Sequence, residues 1–469
     1  MRKLPRLIAP FLLATLGAGC SLLAPPAPPP GSGAREGEAV RQAIEAGHAR
    51  SVILFIGDGM GDSEITLARN YHVGAAGRLA MDRLPLTGAC TTYSVGEKDP
   101  TRPAYVTDSA ASATAWATGH KTSNRRLSTT PGTGQPLPTL LELAQAKGLR
   151  TGNVTTAELT DATPAALDSH VNDRSCQGPA DMARCSRDKK AAGGPGSIAE
   201  QTVDHHVDVL LGGGRARFEQ RITGGPDKGK TVLKSAVAQG YAIVANADEL
   251  RTVAAGRKVL GLFAPGNMSR EWKGKAAKRY PGTEPQRCVE NQRPDSEPSL
   301  AEMTRKAIDL LDAPAGKGPG FFLQVEGASI DKADHAADPC GAIGETVAMD
   351  EAVQVALDYG KTHLDTLIIV TADHGHTSQI LPPPTKTDHS PGTYSTLITV
   401  DEAMMTVGYA TNLPGRSQEH TGTEVRIAAQ GPLAFNLAGV VDDTDIYRTI
   451  ARALDLTKAS AEAPRAVHP

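Results

Sequence analysis

Three short apolar runs, spaced far apart along the chain, each end in residues that carry charge or bind metals. They are "SVILFIGDG" reaching Asp58, "GFFLQVEGA" reaching Glu326, and "DTLIIVTADHG" reaching Asp373 and His374. An unbroken aliphatic run suits a strand buried on both faces, the usual state of a parallel strand covered by helices. "RTGNVTT" adds a further short strand, while "PTLLELAQAKG" and "GETVAMDEAVQVALDYGK" have helical period. Strands alternating with helices predict an α/β fold: a single large domain whose central, mostly parallel sheet is flanked by helices on both faces. Residues 170–300 are richer in Gly, Pro and charge and read as loop insertions. In open α/β sheets the ligand crevice lies outside the carboxyl ends of the strands, so three acid-bearing strand tips point to one site.

The N-terminus reads as an export signal. "MRKLPR" is basic, "LIAPFLLATLGA" is apolar but too short to span a bilayer, and small residues lead to Cys20. "LGAGC" is similar to a bacterial lipobox, which predicts a signal peptide over 1–19 and lipidation of Cys20. A Pro/Gly-rich tether over 20–49 then holds a folded domain, 50–457, off the membrane, with a disordered tail over 458–469. The expected location is periplasmic or cell-surface, with this lipid as the sole membrane contact.

Export makes disulfides available. Cys176 and Cys185 flank a polar loop, "CQGPADMARC", and are natural partners; closing such a loop is worth about 3 kcal/mol by chain entropy. Cys288 with Cys340 is the next pairing, leaving Cys90 as a buried, inert thiol. The formal charge of the whole chain is −3, and removing Arg2, Lys3 and Arg6 with the signal gives −3 − 3 = −6. That balance, with only 4% aromatic residues, argues against nucleic-acid binding.

The metal-competent residues fall in four clusters: "GDGMGD" with Asp58, "VEGASIDKADH" with Glu326, Asp331 and His335, "TADHGH" with Asp373, His374 and His376, and "QEHTG" with His420. Carboxylate and imidazole together suit Zn²⁺, and oxygen alone suits Mg²⁺. The set is too large for one tetrahedral ion, and two neighbouring ions can clamp both oxygens of a displacement. A fifth stretch, "VTDSAASATAWATG", reads as an Ala-rich helix capped by Asp108 and stopped by Gly119. It places Ser109 in the first turn, where helix amides favour an anion.

These stretches, with "TAELTDATPAALDSHV", "ADPCGAIGET" and "TEVRIAAQGP", resemble the bacterial alkaline phosphatases of the two-zinc, one-magnesium type, and the resemblance runs from about residue 50 to 455. It implies hydrolysis of small-molecule phosphate monoesters through a phosphoserine formed on Ser109, by a homodimer. Asp331, His335 and His420 would hold one zinc, the one that activates water. Asp58, Asp373 and His374 would hold the zinc beside Ser109, and Asp58, Thr163 and Glu326 the magnesium. Arg174, in "HVNDRSC", would fork onto two phosphate oxygens, oriented by Asp108. Asp161 and Lys332 would touch phosphate or the magnesium's waters, and His376 would stand behind the ligands.

Two other functions stay open at this level: a phosphodiesterase or sulfatase of the same superfamily, and a catalytically silent metal-binding lipoprotein. Two motifs are read as decoys. "GGPDKGKT", residues 224–231, has the spacing of a nucleotide-binding loop but lacks a buried strand before it. "DHH" at 204–206 reads as a solvated face, because adjacent side chains diverge.

Overall fold

The computed structural model describes residues 47–312, 318–382 and 392–456. The expectations placed on residues 1–46 and 457–469, the lipidated Cys20 among them, lie outside the described residues.

Ten strands form the central sheet: β1 Ser51–Gly57, β2 Leu86–Thr91, β3 Arg150–Glu158, β4 Val209–Gly213, β5 Ala242–Val244, β6 Val259–Leu262, β7 Phe321–Gly327, β8 Thr366–Ala372, β9 Val425–Gln430 and β10 Gly439–Asp442. Their order across the sheet is β10-β2-β9-β8-β1-β7-β3-β4-β6-β5. Only β9 opposes its neighbours; every other pairing in the sheet is parallel. The three apolar runs are the adjacent central strands β8, β1 and β7, and every residue in them is buried. Their register aligns Ile56 with Glu326 and Gly57 with Ala372, so the polar tips finish side by side.

Alternation along β7 shows how both faces are covered. Gln324 accepts a hydrogen bond from the indole of Trp116, 3.0 Å away on the Ser109–Thr118 helix. Gly327, pointing the other way, lies against Met349 of the long Pro339–Gly360 helix, where a Cβ would sit 3.1 Å from Met349. The "PTLLELAQAKG" stretch forms the Leu140–Ala146 helix, opened by a reciprocal cap between Thr139 and Glu142.

Residues 170–300 correct the loop expectation in part. They supply β4, β5 and β6, which complete one side of the sheet. These strands are only three to five residues long, and glycine ends β4 and interrupts β6, so their apolar signal is too short to stand out. The later part of the stretch is irregular, with only the two-residue strands Trp272–Lys273 and Val289–Glu290 before the Leu300–Leu311 helix. The "GGPDKGKT" stretch follows a four-residue helix, Arg215–Phe218, and Thr231 caps the Val232–Ala238 helix. Disulfides join Cys176 to Cys185 and Cys288 to Cys340, and Cys90 is a buried free thiol. No helix among the described residues is long and apolar enough to cross a membrane.

Candidate active site

The site lies at the carboxyl ends of β8, β1, β7 and β3, four neighbouring strands. Asp58 follows β1 directly, and its N–H donates to the carbonyl of Gly327 at 3.1 Å. Its own carbonyl accepts from Asp331 N–H at 2.9 Å, which sets the Ser329–His335 helix over the strand tips. Gly59 makes the turn with φ +70°, and a Cβ there would press Asp331 at 3.2 Å. Its amide donates to Asp373 Oδ1 at 2.8 Å, joining the ends of β1 and β8.

Asp58, Asp373 and His374 form one buried cluster. His374 Nε2 lies 3.2 Å from Asp373 Oδ2, 3.6 Å from Asp58 Oδ1 and 3.4 Å from the hydroxyl of Ser109. Ser109 opens its helix, and the Asp108 side chain caps it by accepting from Ala111 N–H at 3.0 Å. Burial raises the pKa of Asp373 to about 6, against the pull of the Gly59 amide, and nearby Asp331 adds to the rise. Asp58 is likewise raised well above its usual range, by burial and then by Asp331 and Asp373. Burial and His420 together hold His374 well below the usual imidazole range. A cluster of buried carboxylates beside a neutral imidazole is the environment that a divalent cation relieves. Among the described residues, Asp58 Oδ1, Asp373 Oδ2 and Thr163 Oγ1 are buried without a hydrogen-bond partner, as cation ligands are before the ion is added.

Asp331, His335, His376 and His420 form a second cluster. The Nε2 atoms of His335, His376 and His420 lie 3.3, 3.2 and 3.2 Å from Asp331 Oδ1. Burial opposes the Asp331 charge, but the surrounding imidazoles outweigh it and hold the carboxyl far below its usual range. The three rings are not equivalent. His335 Nδ1 faces the Gln418 carbonyl, and His420 Nδ1 faces that of Thr107 at 3.1 Å, so both carry their proton on Nδ1 and present an Nε2 lone pair. His376 is the reverse: its Nδ1 accepts from Thr377 N–H at 2.9 Å, which puts the proton on Nε2, facing Asp331. His376 thus presents an N–H, and not a lone pair, to Asp331.

Arg174 closes the other side. Its Nη2 donates to Asp161 Oδ1 at 2.9 Å, and Nη1 pairs with Asp108 Oδ2 at 3.4 Å. Asp161 also meets Lys332 Nζ at 3.1 Å and caps the Ala162–Asp168 helix that carries Thr163. Burial works against the Asp161 charge, but Lys332 and Arg174 outweigh it and keep the carboxyl ionised. Glu326 is buried and accepts from the hydroxyl of Thr155; burial lifts its pKa to about 7.

Sequence reading missed three contributors. Arg125 donates from its backbone N–H to both oxygens of Asp108 and forks onto Asp173 at 2.9 and 2.8 Å, fixing the residue before Arg174. Thr155 lies inside β3, where a buried threonine carries no functional signal. Asp173 sits in the "HVNDRSC" stretch beside Arg174, so adjacency alone could have raised it.

A nearly all-parallel sheet whose strand tips gather carboxylates and imidazoles beside a helix-start serine and a paired arginine defines an α/β fold with a site able to hold metal ions, the setting of a hydrolase. The sequence profile of the alkaline phosphatase family matches residues 49–412 and 398–456. The chain belongs to that family. It is 57% identical to the streptomycin-6-phosphate phosphatase of Streptomyces griseus, over 87% of this chain and 91% of that protein. It is 52% identical to alkaline phosphatase H of Pseudomonas aeruginosa, covering 89% of this chain and 88% of that one. Its fold matches the alkaline phosphatase of the Antarctic bacterium TAB5 with a TM-score of 0.63 and 24% identity, over 87% of this chain and 99% of that one.

Proposed function

We propose that this phosphatase hydrolyses small-molecule phosphate monoesters by two displacements at phosphorus, with Ser109 as the nucleophile. The observation that carries this reading is the Ser109 hydroxyl at a helix start, 3.4 Å from His374 in a cluster of metal-competent groups. Asp331, His335 and His420 would hold one zinc, Asp58, Asp373 and His374 a second, and Asp58, Thr163 and Glu326 a magnesium. Bound there, the ions would supply the positive charge that lowers the serine pKa and offsets the anionic reactant. In the first displacement Ser109 Oγ bonds to phosphorus as the bond to the leaving oxygen breaks. In the second, water attacks the phosphoserine, the P–Oγ bond breaks and orthophosphate leaves. Two in-line displacements give net retention.

Arg174 offers planar, bidentate donors to two equatorial phosphate oxygens, which a lysine cannot do. Asp108 and Asp161 hold its guanidinium from two sides, and Arg125 with Asp173 fixes the chain beneath it. Asp161 and Lys332 would touch phosphate or the magnesium's waters, and His376 would stand behind the ligands, against Asp331. Turnover of a chromogenic phosphate monoester with and without chelator tests the reading; chelator-insensitive turnover would contradict it.

The same proposal takes residues 50–457 as the catalytic unit, working as an exported homodimer tethered by lipid at Cys20. The basic, apolar and small-residue order of the N-terminus supports the export and anchor. Mass spectrometry of the mature N-terminus tests that part.

A further inference from the structure

A third group of ligand-competent side chains lies outside the phosphatase centre and shares no residue with it: Glu142, His170 and His205. They come from distant parts of the chain. Glu142 is in the first turn of the Leu140–Ala146 helix, His170 lies just beyond the Ala162–Asp168 helix, and His205 ends the Ile198–Asp204 helix. Of the "DHH" stretch, Asp204 and His206 are exposed, but His205 turns inward, so the solvated-face expectation fails for that one residue.

Hydrogen bonds fix what each group presents. His170 Nδ1 meets the Ser128 carbonyl at 2.9 Å, and His205 Nδ1 meets the Gln201 carbonyl at 2.9 Å. A carbonyl only accepts, so both rings carry a proton on Nδ1, and each neutral ring is left with a lone pair on Nε2. Glu142 Oε2 is occupied by the Thr139 N–H at 2.8 Å, leaving Oε1 free. Both Nε2 atoms lie 3.1 Å from that one oxygen. Three lone-pair donors thus converge; without a cation the gap is filled by a second proton on His205, whose pKa, against the effect of burial, Glu142 raises to about 9, and a divalent cation would take that proton's place. Each imidazole is held by a backbone carbonyl behind it, the arrangement that orients metal-bound histidines.

We infer that Glu142, His170 and His205 form a structural site for a zinc-like divalent cation. Two imidazoles and one carboxylate are a zinc donor set. Zinc–ligand bonds of about 2.0–2.1 Å place tetrahedral ligands about 3.3 Å apart, close to the 3.1 Å between Glu142 Oε1 and each Nε2. All three side chains are partly exposed, so water can complete the shell. The ion would clip two helices to the chain that leads, four residues on, to Arg174.

The holoenzyme is dialysed against free zinc, and bound zinc is counted per chain for the natural protein, His205→Ala and His205→Gln. The expected result is one zinc fewer in both variants, with phosphatase turnover unchanged. Anomalous diffraction at the zinc edge should show an ion between Glu142, His170 and His205. Equal zinc counts in all three proteins, or no anomalous density there in zinc-loaded crystals, would overturn the inference and leave the cluster a proton-bridged ion pair.

Discussion

The imidazole Nε2 of His374 lies 3.4 Å from the hydroxyl oxygen of Ser109. One residue ends the sheet's β8 tip and the other opens an Ala-rich helix, so the contact joins an anion-attracting helix start to the ligand cluster at the strand ends. If Ser109 carries the phosphoryl group, Ser109→Ala loses about 10³-fold or more in turnover while its melting temperature stays near that of the natural protein. Steady-state kinetics with thermal unfolding checks both halves. Turnover within a few-fold of the natural enzyme would remove Ser109 from the mechanism.

Chelation should lower stability as well as activity. Asp58, Asp373 and Asp331 are buried within one site, and removing cations leaves their mutual repulsion uncompensated. An ion held at a hundred times its dissociation constant contributes about 2.7 kcal/mol to the folded state. The chelated protein should therefore melt at a lower temperature, and zinc with magnesium should restore both stability and turnover. A melting curve unmoved by chelator would contradict the metal assignment.

Asp161 holds Arg174, pairs with Lys332 and caps a helix, so its removal should show in two readouts. Asp161→Ala should cost about 1 kcal/mol as a lost cap. With Arg174 then held only through Asp108, the KM for a monoester and the inhibition constant of free phosphate should both rise several-fold. An equal stability loss with neither constant moved would make Asp161 purely structural.

The strand tips were legible because β1, β7 and β8 are apolar throughout and their parallel pairing brings their ends together. The helix start at Asp108–Ser109 was legible from the cap residue and the closing Gly119. The place of His376 behind the ligands came from the family resemblance alone, since which ring nitrogen the Thr377 amide meets is a matter of loop geometry. The Glu142, His170 and His205 group was not legible, for its members are 28 and 63 residues from Glu142 and meet only through helix packing. β4 to β6 escaped notice for a simpler reason: strands of three to five residues with glycine carry little periodic signal.

An acid-sensitive contact lies away from the metal ligands. Glu97 accepts hydrogen bonds from Arg126, Ser123 and the Gly132 amide, and Arg126 above all lowers its pKa from 4.5 to about 2. A depressed carboxylate pKa stabilises the fold above the unfolded value and loses that effect as pH falls through the folded one. The natural protein, chelated throughout, should melt above Glu97→Gln near neutral pH, and the gap should close as pH drops from about 4.5 towards about 2. A half-exposed carboxylate keeps the gap small. A gap that stays constant over that range would show that Glu97 does not act through its charge.

The central claim is that Ser109 carries the phosphoryl group between the two displacements. Incubating the enzyme with radiolabelled inorganic phosphate, quenching in acid and mapping the labelled peptide measures this directly. The account predicts covalent phosphate on Ser109 and none in Ser109→Ala. Label on another residue, or an active enzyme that never takes up label, would contradict it.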